Sequence, residues 1–449
     1  MQSSQSSRKT DDALIKFYLA YIAFISSSVE YIPFLKTVNF LVFLIPFLLW
    51  IREFYRFQLK KITVLPILII VSGLLSWLLA YDVSFSEFFN SFRWSCLVLF
   101  ILFWGSLQSW SDEKRKEWLH FIFTLFILQI PIGLAKHLLF FQAFGEGSYE
   151  MPLGLLGHST TTFFVAIAII FVVAYRQEKL ITFKKHLFLL LGYFSCGIVG
   201  GKRALILLLP ACIIFTTTIH SVLSKKWKIL FKSLIFSSVA ILIIVYLTIR
   251  LLPTLNPTRE IWGEIDLTYL VEYLQEHNST EQFDRFAMAV GRASATQEIL
   301  TLQFQNPSIW LWGYGVGFLA RSAENNFATS DFRIEYGING YIWTSLQWGI
   351  PGAIFWFILL FSPVWNGYFL YKKTTDPYWK AFAVAMIVSG FLMGPFQFYY
   401  APVLKSVDFM SFYYFVMLIL YQKVQETSNS SEENIQEHSN TANTKDSIK

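Results

Sequence analysis

The sequence predicts an all-α polytopic membrane protein, and three observations carry that prediction. Of 449 residues, 55% are hydrophobic and only 15% are charged, against a charged share of about 25% in soluble domains, and mean hydropathy is +0.48. Apolar runs long enough to cross a bilayer recur along most of the chain. Lysine and arginine crowd into every second connection between those runs, as they do on the cytoplasmic side of polytopic proteins.

The runs fall at Leu14–Val29, Leu35–Ile51, Ile62–Tyr81, Trp94–Leu107, Trp118–Ala135, Gly157–Tyr175, His186–Val199, Ala204–Ile219, Ser233–Leu251, Asn339–Phe361, Ala381–Phe398 and Val407–Tyr421. This gives about twelve spans, of which the fourth and seventh runs are short. A polar stretch with Arg8, Lys9, Asp11 and Asp12 precedes the first run, which carries no small-residue cleavage site and is expected to stay as a helix. The basic connections are Arg52 to Lys61, Lys114 to Lys116, Arg176 to Lys185, Lys225 to Lys232 and Lys372 to Lys380. Their alternation predicts cytoplasmic termini and places residues 252–338 outside. The chain thus divides into helices over 1–251, an extracytoplasmic loop over 252–338, helices over 339–421, and a Ser/Asn/Thr/Glu-rich tail over 422–449 that composition predicts to be disordered.

Trp and Tyr recur near the ends of the runs, where they anchor spans at the interface, and the bilayer is the first partner implied. Basic residues form no stripe on a soluble module, so nucleic acid is excluded. Cys96, Cys196 and Cys212 lie singly in apolar runs and read as core hydrophobes. No His, Cys or carboxylate cluster has metal-ligand spacing, so neither a metal nor another cofactor is expected. Few ionisable residues fall deep within the runs, which disfavours an ion-coupled carrier.

Chemistry is expected where the polar segment meets the membrane. Gly200-Gly201-Lys202-Arg203 opens the eighth run at its outer end. It reads either as an interfacial pair that snorkels to headgroups or, preferably, as an anion site made by close backbone approach, helix N–H groups and the fork of Arg203. In the polar segment Ser279-Thr280-Glu281-Gln282 has the capping-box pattern, and a helix is expected from there until Asn306-Pro307 stops it. Arg285 and Arg292 would share one face of that helix; Arg285 has Glu281 as a local partner, whereas Arg292 has no local acid. The run from Trp310 to Phe318 interleaves Gly313, Gly315 and Gly317 with Trp312 and Tyr314, and reads either as a stacking platform for a sugar or prenyl chain or as an aromatic belt. Asp331, Glu335 and the external His158 are the candidates for a general base.

Gly154–Thr162, Gly200–Ala204 and the stretch from Gly291-Arg292 through Asn306-Pro307 to Gly313-x-Gly315-x-Gly317 resemble, in their order and spacing, segments of the O-antigen ligase and O-antigen polymerase superfamily. The resemblance implies a GT-C-like fold whose large outer loop lies between the ninth and tenth spans. It further implies metal-free transfer of a glycan from an undecaprenyl-diphosphate carrier to a glycan or lipid acceptor at the outer face of the bacterial plasma membrane. Envelope-glycan assembly proteins, including those of lipopolysaccharide, would be its partners. By matching position Arg203 and Arg292 would hold the diphosphate, with Lys202, Arg285, His158, Asn339, Trp312 and Tyr314 around the substrate. Ligases of that superfamily place a His and an Asn eleven positions before a Gly-x-x-Gly. Here Ile338 and Asn339 precede Gly349-Ile350-Pro351-Gly352, which moves the expectation from a ligase toward a polymerase or a divergent transferase. A competing class is a flippase for lipid-linked oligosaccharides, but that needs cations along a central cavity rather than at the outer mouth.

Overall fold

A computed structural model describes residues 2–26, 28, 32, 34–79, 83–144, 154–156, 160–199, 204–226, 231, 238, 242–243, 245–251, 255–279, 292–319, 339–400 and 403–446. The described residues are all helical or connecting, with no strand among them. The helices are α1 (Gln2–Phe24), α2 (Phe34–Phe43), α3 (Ile45–Arg52), α4 (Lys61–Leu79), α5 (Phe85–Cys96), α6 (Phe100–Ser106), α7 (Asp112–Phe144), α8 (Thr160–Gln177), α9 (Phe183–Val199), α10 (Leu205–Leu223), α11 (Leu267–Ser279), α12 (Arg292–Gln305), α13 (Pro307–Trp312), α14 (Gly340–Lys373), α15 (Pro377–Phe391) and α16 (Val407–Asp446). Among the described residues seven helical segments are long and apolar enough to cross a membrane. The chain is therefore a polytopic, multi-pass membrane protein.

Local chemistry explains the boundaries. Pro46 sits at the first turn of α3, so the second apolar run is bent rather than straight. The fourth run, short in the sequence, is only the second half of a composite span from Phe85 to Ser106. Its start is fixed by a capping box: Ser84 accepts the Glu87 N–H, and the Glu87 carboxylate accepts the Ser84 N–H at 2.8 Å. α15 widens into a π-turn at Leu392–Phe396, where Pro395 supplies no N–H, and continues to Tyr400.

Ion pairs gather at one end of the bundle. Lys114 meets Asp12 at 2.9 Å, Lys16 meets Glu117 at 2.6 Å, Lys116 meets Asp376 at 2.8 Å, and Arg52 pairs with Asp11. Tyr175 at the end of α8 lies 5.3 Å from Tyr378 at the start of α15. Exposed pairs of this kind are worth roughly 0.2–1 kcal/mol each. Their information is geometric: basic connections that alternate along the chain are brought together.

Past the last apolar run α16 runs on to Asp446. Elongating an existing helix costs far less than starting one, and the first turns past the membrane run are tethered. Gln422 donates to the carbonyls of Gly105 and Gln108 at 2.9 and 3.1 Å, and Arg115 meets Glu426 at 2.7 Å. α11 is described as far as Ser279 and the helix stopped by Asn306-Pro307 from Arg292; the capping-box residues Thr280, Glu281 and Gln282 lie outside the described residues.

Candidate functional site

The site is built where α12 docks on the start of α14. α12 buries Ala295, Ile299 and Gln303, and its two apolar residues pack on Ile342 and Leu346 of α14. Polar bonds fix the register. The Asn339 side chain caps α14 by accepting the Ile342 N–H at 2.9 Å and donates to the Thr296 hydroxyl at 2.8 Å. Thr296 in turn donates to the Arg292 carbonyl at 2.7 Å, and Tyr341 donates to Gln303 at 2.8 Å. Asn339 and Arg292, both singled out from the sequence, are thus joined through one threonine.

Arg292 is held over an aromatic cluster. Its guanidinium stands 4.6 Å from the Tyr400 ring centre, a cation–π contact worth about 0.5–1 kcal/mol when exposed and more when desolvated. Tyr400 stacks on Phe396 at 5.2 Å, and both rings approach Phe163 of α8, at 6.2 and 5.8 Å. The Arg292 Nε is buried with no acceptor, and among the described residues no carboxylate pairs with its guanidinium. The arrangement is a positioned cation whose Nε has no acceptor among the described residues, suited to a phosphate or carboxylate.

Trp312 and Tyr314 are placed differently. α14 is broken at Gly349, whose φ of 69° and ψ of 177° are non-helical. The break frees the Leu346 carbonyl, and the Gln347 carbonyl would face Pro351, which has no N–H. The glycine run repairs the first loss and Ser76 of α4 the second. Tyr314 donates its N–H to the Leu346 carbonyl at 2.6 Å, and Ser76 of α4 lies with its hydroxyl between the carbonyls of Trp312 and Gln347. A Cβ on Gly349 would lie 2.2 Å from the Leu311 oxygen, and one on Gly313 2.4 Å from the Leu346 oxygen. Both glycines have positive φ. The Gly313-x-Gly315-x-Gly317 tract therefore docks backbone to backbone on the break. Trp312 and Tyr314 flank that dock, and the Tyr314 ring is stacked on Phe318 at 4.6 Å.

Lys202, Arg203, Arg285, His158, Asp331 and Glu335 lie outside the described residues. The described residues beside His158 and Arg203 pack against α7, α8 and α9. Leu155 and Leu156, just before the segment with His158, are held by Gln129 and Lys136 of α7. The Gln129 oxygen accepts the Leu155 N–H at 2.7 Å, and the Lys136 ammonium lies 3.3 Å from the Leu156 carbonyl. Gly154 has φ +85°, and a Cβ there would meet the Gln129 oxygen at 2.7 Å, which accounts for a glycine in this place. Leu205, which opens α10 two residues after Arg203, packs by Gly197 and Val165.

Sequence reasoning missed Lys136 and Gln397. Lys136 is 3% exposed inside α7; the apolar run ends at Ala135, but the helix continues to Phe144. An ionisable group enclosed within a membrane helix is itself a functional signal. Gln397, fully buried one turn before Tyr400, finds no partner for its carboxamide among the described residues and lies against Gly340. Among the described residues no trio of His, Cys, Asp or Glu is placed to hold a metal ion. In comparisons with protein-family models and with curated proteins, the chain matches none.

Proposed function

We propose that the protein is a metal-independent glycosyltransferase. It transfers a glycan from an undecaprenyl-diphosphate carrier to an acceptor hydroxyl at the outer face of the bacterial plasma membrane, in the manner of an O-antigen polymerase. The observation that carries this reading is Arg292, a fixed guanidinium over Tyr400 with a buried, unpartnered Nε at the junction of polar segment and bundle. In the reaction the acceptor oxygen attacks the anomeric carbon, the bond from that carbon to the diphosphate oxygen breaks, and the carrier leaves as its diphosphate. Negative charge grows on the leaving phosphate, where guanidinium donors stabilise it most if water is scarce. Arg292 and Arg203 take that role, while His158, Asp331 or Glu335 accepts the acceptor's proton. The test is a transfer assay with purified protein and lipid-linked donor. Elongated product is expected to form in excess EDTA and to vanish in Arg203→Ala while that variant still accumulates in membranes. Strict dependence on an added divalent cation, or full activity in Arg203→Ala, would overturn the reading.

The topology proposed with it has twelve spans, cytoplasmic termini and residues 252–338 outside. Support comes from the meeting of the alternate basic connections at one end of the bundle. Ser224→Cys and Ser279→Cys, each alone in a cysteine-free background, are expected to react oppositely with an impermeant thiol reagent in intact cells. Equal labelling would sink the proposed sidedness.

A further inference from the structure

A second cationic site lies between α2 and α5. Ring contacts pair Phe40 with Phe89 at 6.4 Å, Phe43 with Trp94 at 5.7 Å and Phe47 with Phe100 at 4.7 Å, so the Phe34–Arg52 and Phe85–Ser106 segments run side by side in the same direction. Toward the start of α2 they part around a cavity of about 440 Å³, lined by Lys36, Thr37, Phe40, Phe43, Arg93 and Trp94 among others. The size is that of a small-ligand pocket. Among the described residues the lining carries two cations and no acid. The Arg93 guanidinium lies 5.7 Å from the Phe40 ring and 5.1 Å from the Trp94 ring, and its Nε is buried without an acceptor. Among the described residues neither Lys36 nor Arg93 has an ion-pair partner.

Snorkelling alone would carry each head to water. Lys36 is exposed and can do so, but snorkelling does not account for the half-buried Arg93 guanidinium, tucked beneath two rings in the same half-open cavity with its Nε short of an acceptor among the described residues. A bound anion does. The flanks are apolar and open: Phe34 is 73% and Leu41 58% exposed. The occupant therefore needs a charged head and a hydrocarbon body. The cavity is distinct from the Arg292 site, because none of the described residues that line it is among Arg292, Tyr400, Phe396, Phe163, Thr296 and Asn339.

We propose that this cavity binds the phosphate of a membrane lipid, with Arg93 and Lys36 as charged donors and Thr37 beside them. The inference goes beyond the glycan-transfer reading and stands without it. Thermal unfolding of the purified full-length protein in neutral detergent tests it, with titrations of phosphatidylglycerol, phosphatidylcholine, undecaprenyl monophosphate and inorganic phosphate. Phosphatidylglycerol is expected to raise the midpoint of the wild type, and K36Q/R93Q is expected to bind it at least about tenfold more weakly. Tighter binding of undecaprenyl monophosphate than of phosphatidylglycerol assigns the site to a polyprenyl phosphate; the reverse order assigns it to a phospholipid. Equal responses of wild type and K36Q/R93Q, or an equal shift with phosphatidylcholine or with inorganic phosphate, would overturn the proposal. If K36Q/R93Q does not fold, a photoactivatable phosphatidylglycerol on the wild type decides. Labelling of peptides from α2 and α5 that phosphatidylglycerol competes away supports the site, and labelling spread evenly over the lipid-facing helices refutes it.

Discussion

Arg292→Ala is expected to lower glycan transfer on the order of a hundredfold or more, the usual consequence of removing one preorganised donor from a leaving group's charge. Little of that loss would come from misfolding. The bond from Thr296 uses the Arg292 backbone carbonyl, and Asn339 caps α14 through Ile342, so both survive the substitution. What the fold loses is the contact with Tyr400, about 0.5–1 kcal/mol if exposed. A fall in kcat with an unchanged melting temperature is the expected pattern, and Arg292→Lys should recover only part of the rate, because a point charge replaces the planar fork. Arg285→Ala should stay within a few fold, since the sequence offers it Glu281 four residues before, and a surface pair at that spacing is worth only about 0.3–0.5 kcal/mol. The comparison needs one assay with purified variants at matched concentration. Near-wild-type turnover in Arg292→Ala would remove this arginine from the chemistry.

Gly349→Ala is expected to damage the fold itself. With φ 69° and ψ 177° the residue lies where side chains are strained by roughly 1–3 kcal/mol. The added Cβ would also stand 2.2 Å from the Leu311 oxygen and 2.8 Å from the Trp312 nitrogen, both backbone atoms that cannot turn aside. Gly192→Ala makes the comparison informative, because its Cβ would meet only the Ile130 side chain, at 2.8 Å from the terminal methyl. Size-exclusion profiles after graded heating in detergent should show Gly349→Ala aggregating at clearly lower temperature than Gly192→Ala. Equal profiles would mean that the contact between the glycine run and α14 is looser than described.

Much of the helical architecture was legible because apolar length is a cumulative signal that no single residue decides. The stop at Asn306-Pro307 was legible too, through a missing N–H, whereas Asn339 was singled out by position alone and its capping of α14 shows only in the structure. The capping box that Ser84 and Glu87 close at the start of α5 fixes the length of a composite span that hydropathy alone cut in half. The rest of what escaped depended on partners distant in sequence. Gly349-x-x-Gly352 served as a spacing marker in the sequence, but its physical meaning, a broken helix, emerges only once Tyr314 and Ser76 are seen to take up the freed carbonyls. The helical continuation past Gln422 likewise depends on carbonyls more than 300 residues away in the chain.

The dock between the glycine run and α14 has an evolutionary corollary. Its fit is made by peptide groups, so what descent must preserve is the interval between a few glycines, one proline and one serine hydroxyl. The aromatic letters around them are free to drift as lipid, sugar or neighbouring loops demand. Chains that share this joint would then look alike at a handful of punctuating positions and unlike almost everywhere else, and kinship among them would be recognised by cadence before it is recognised by spelling.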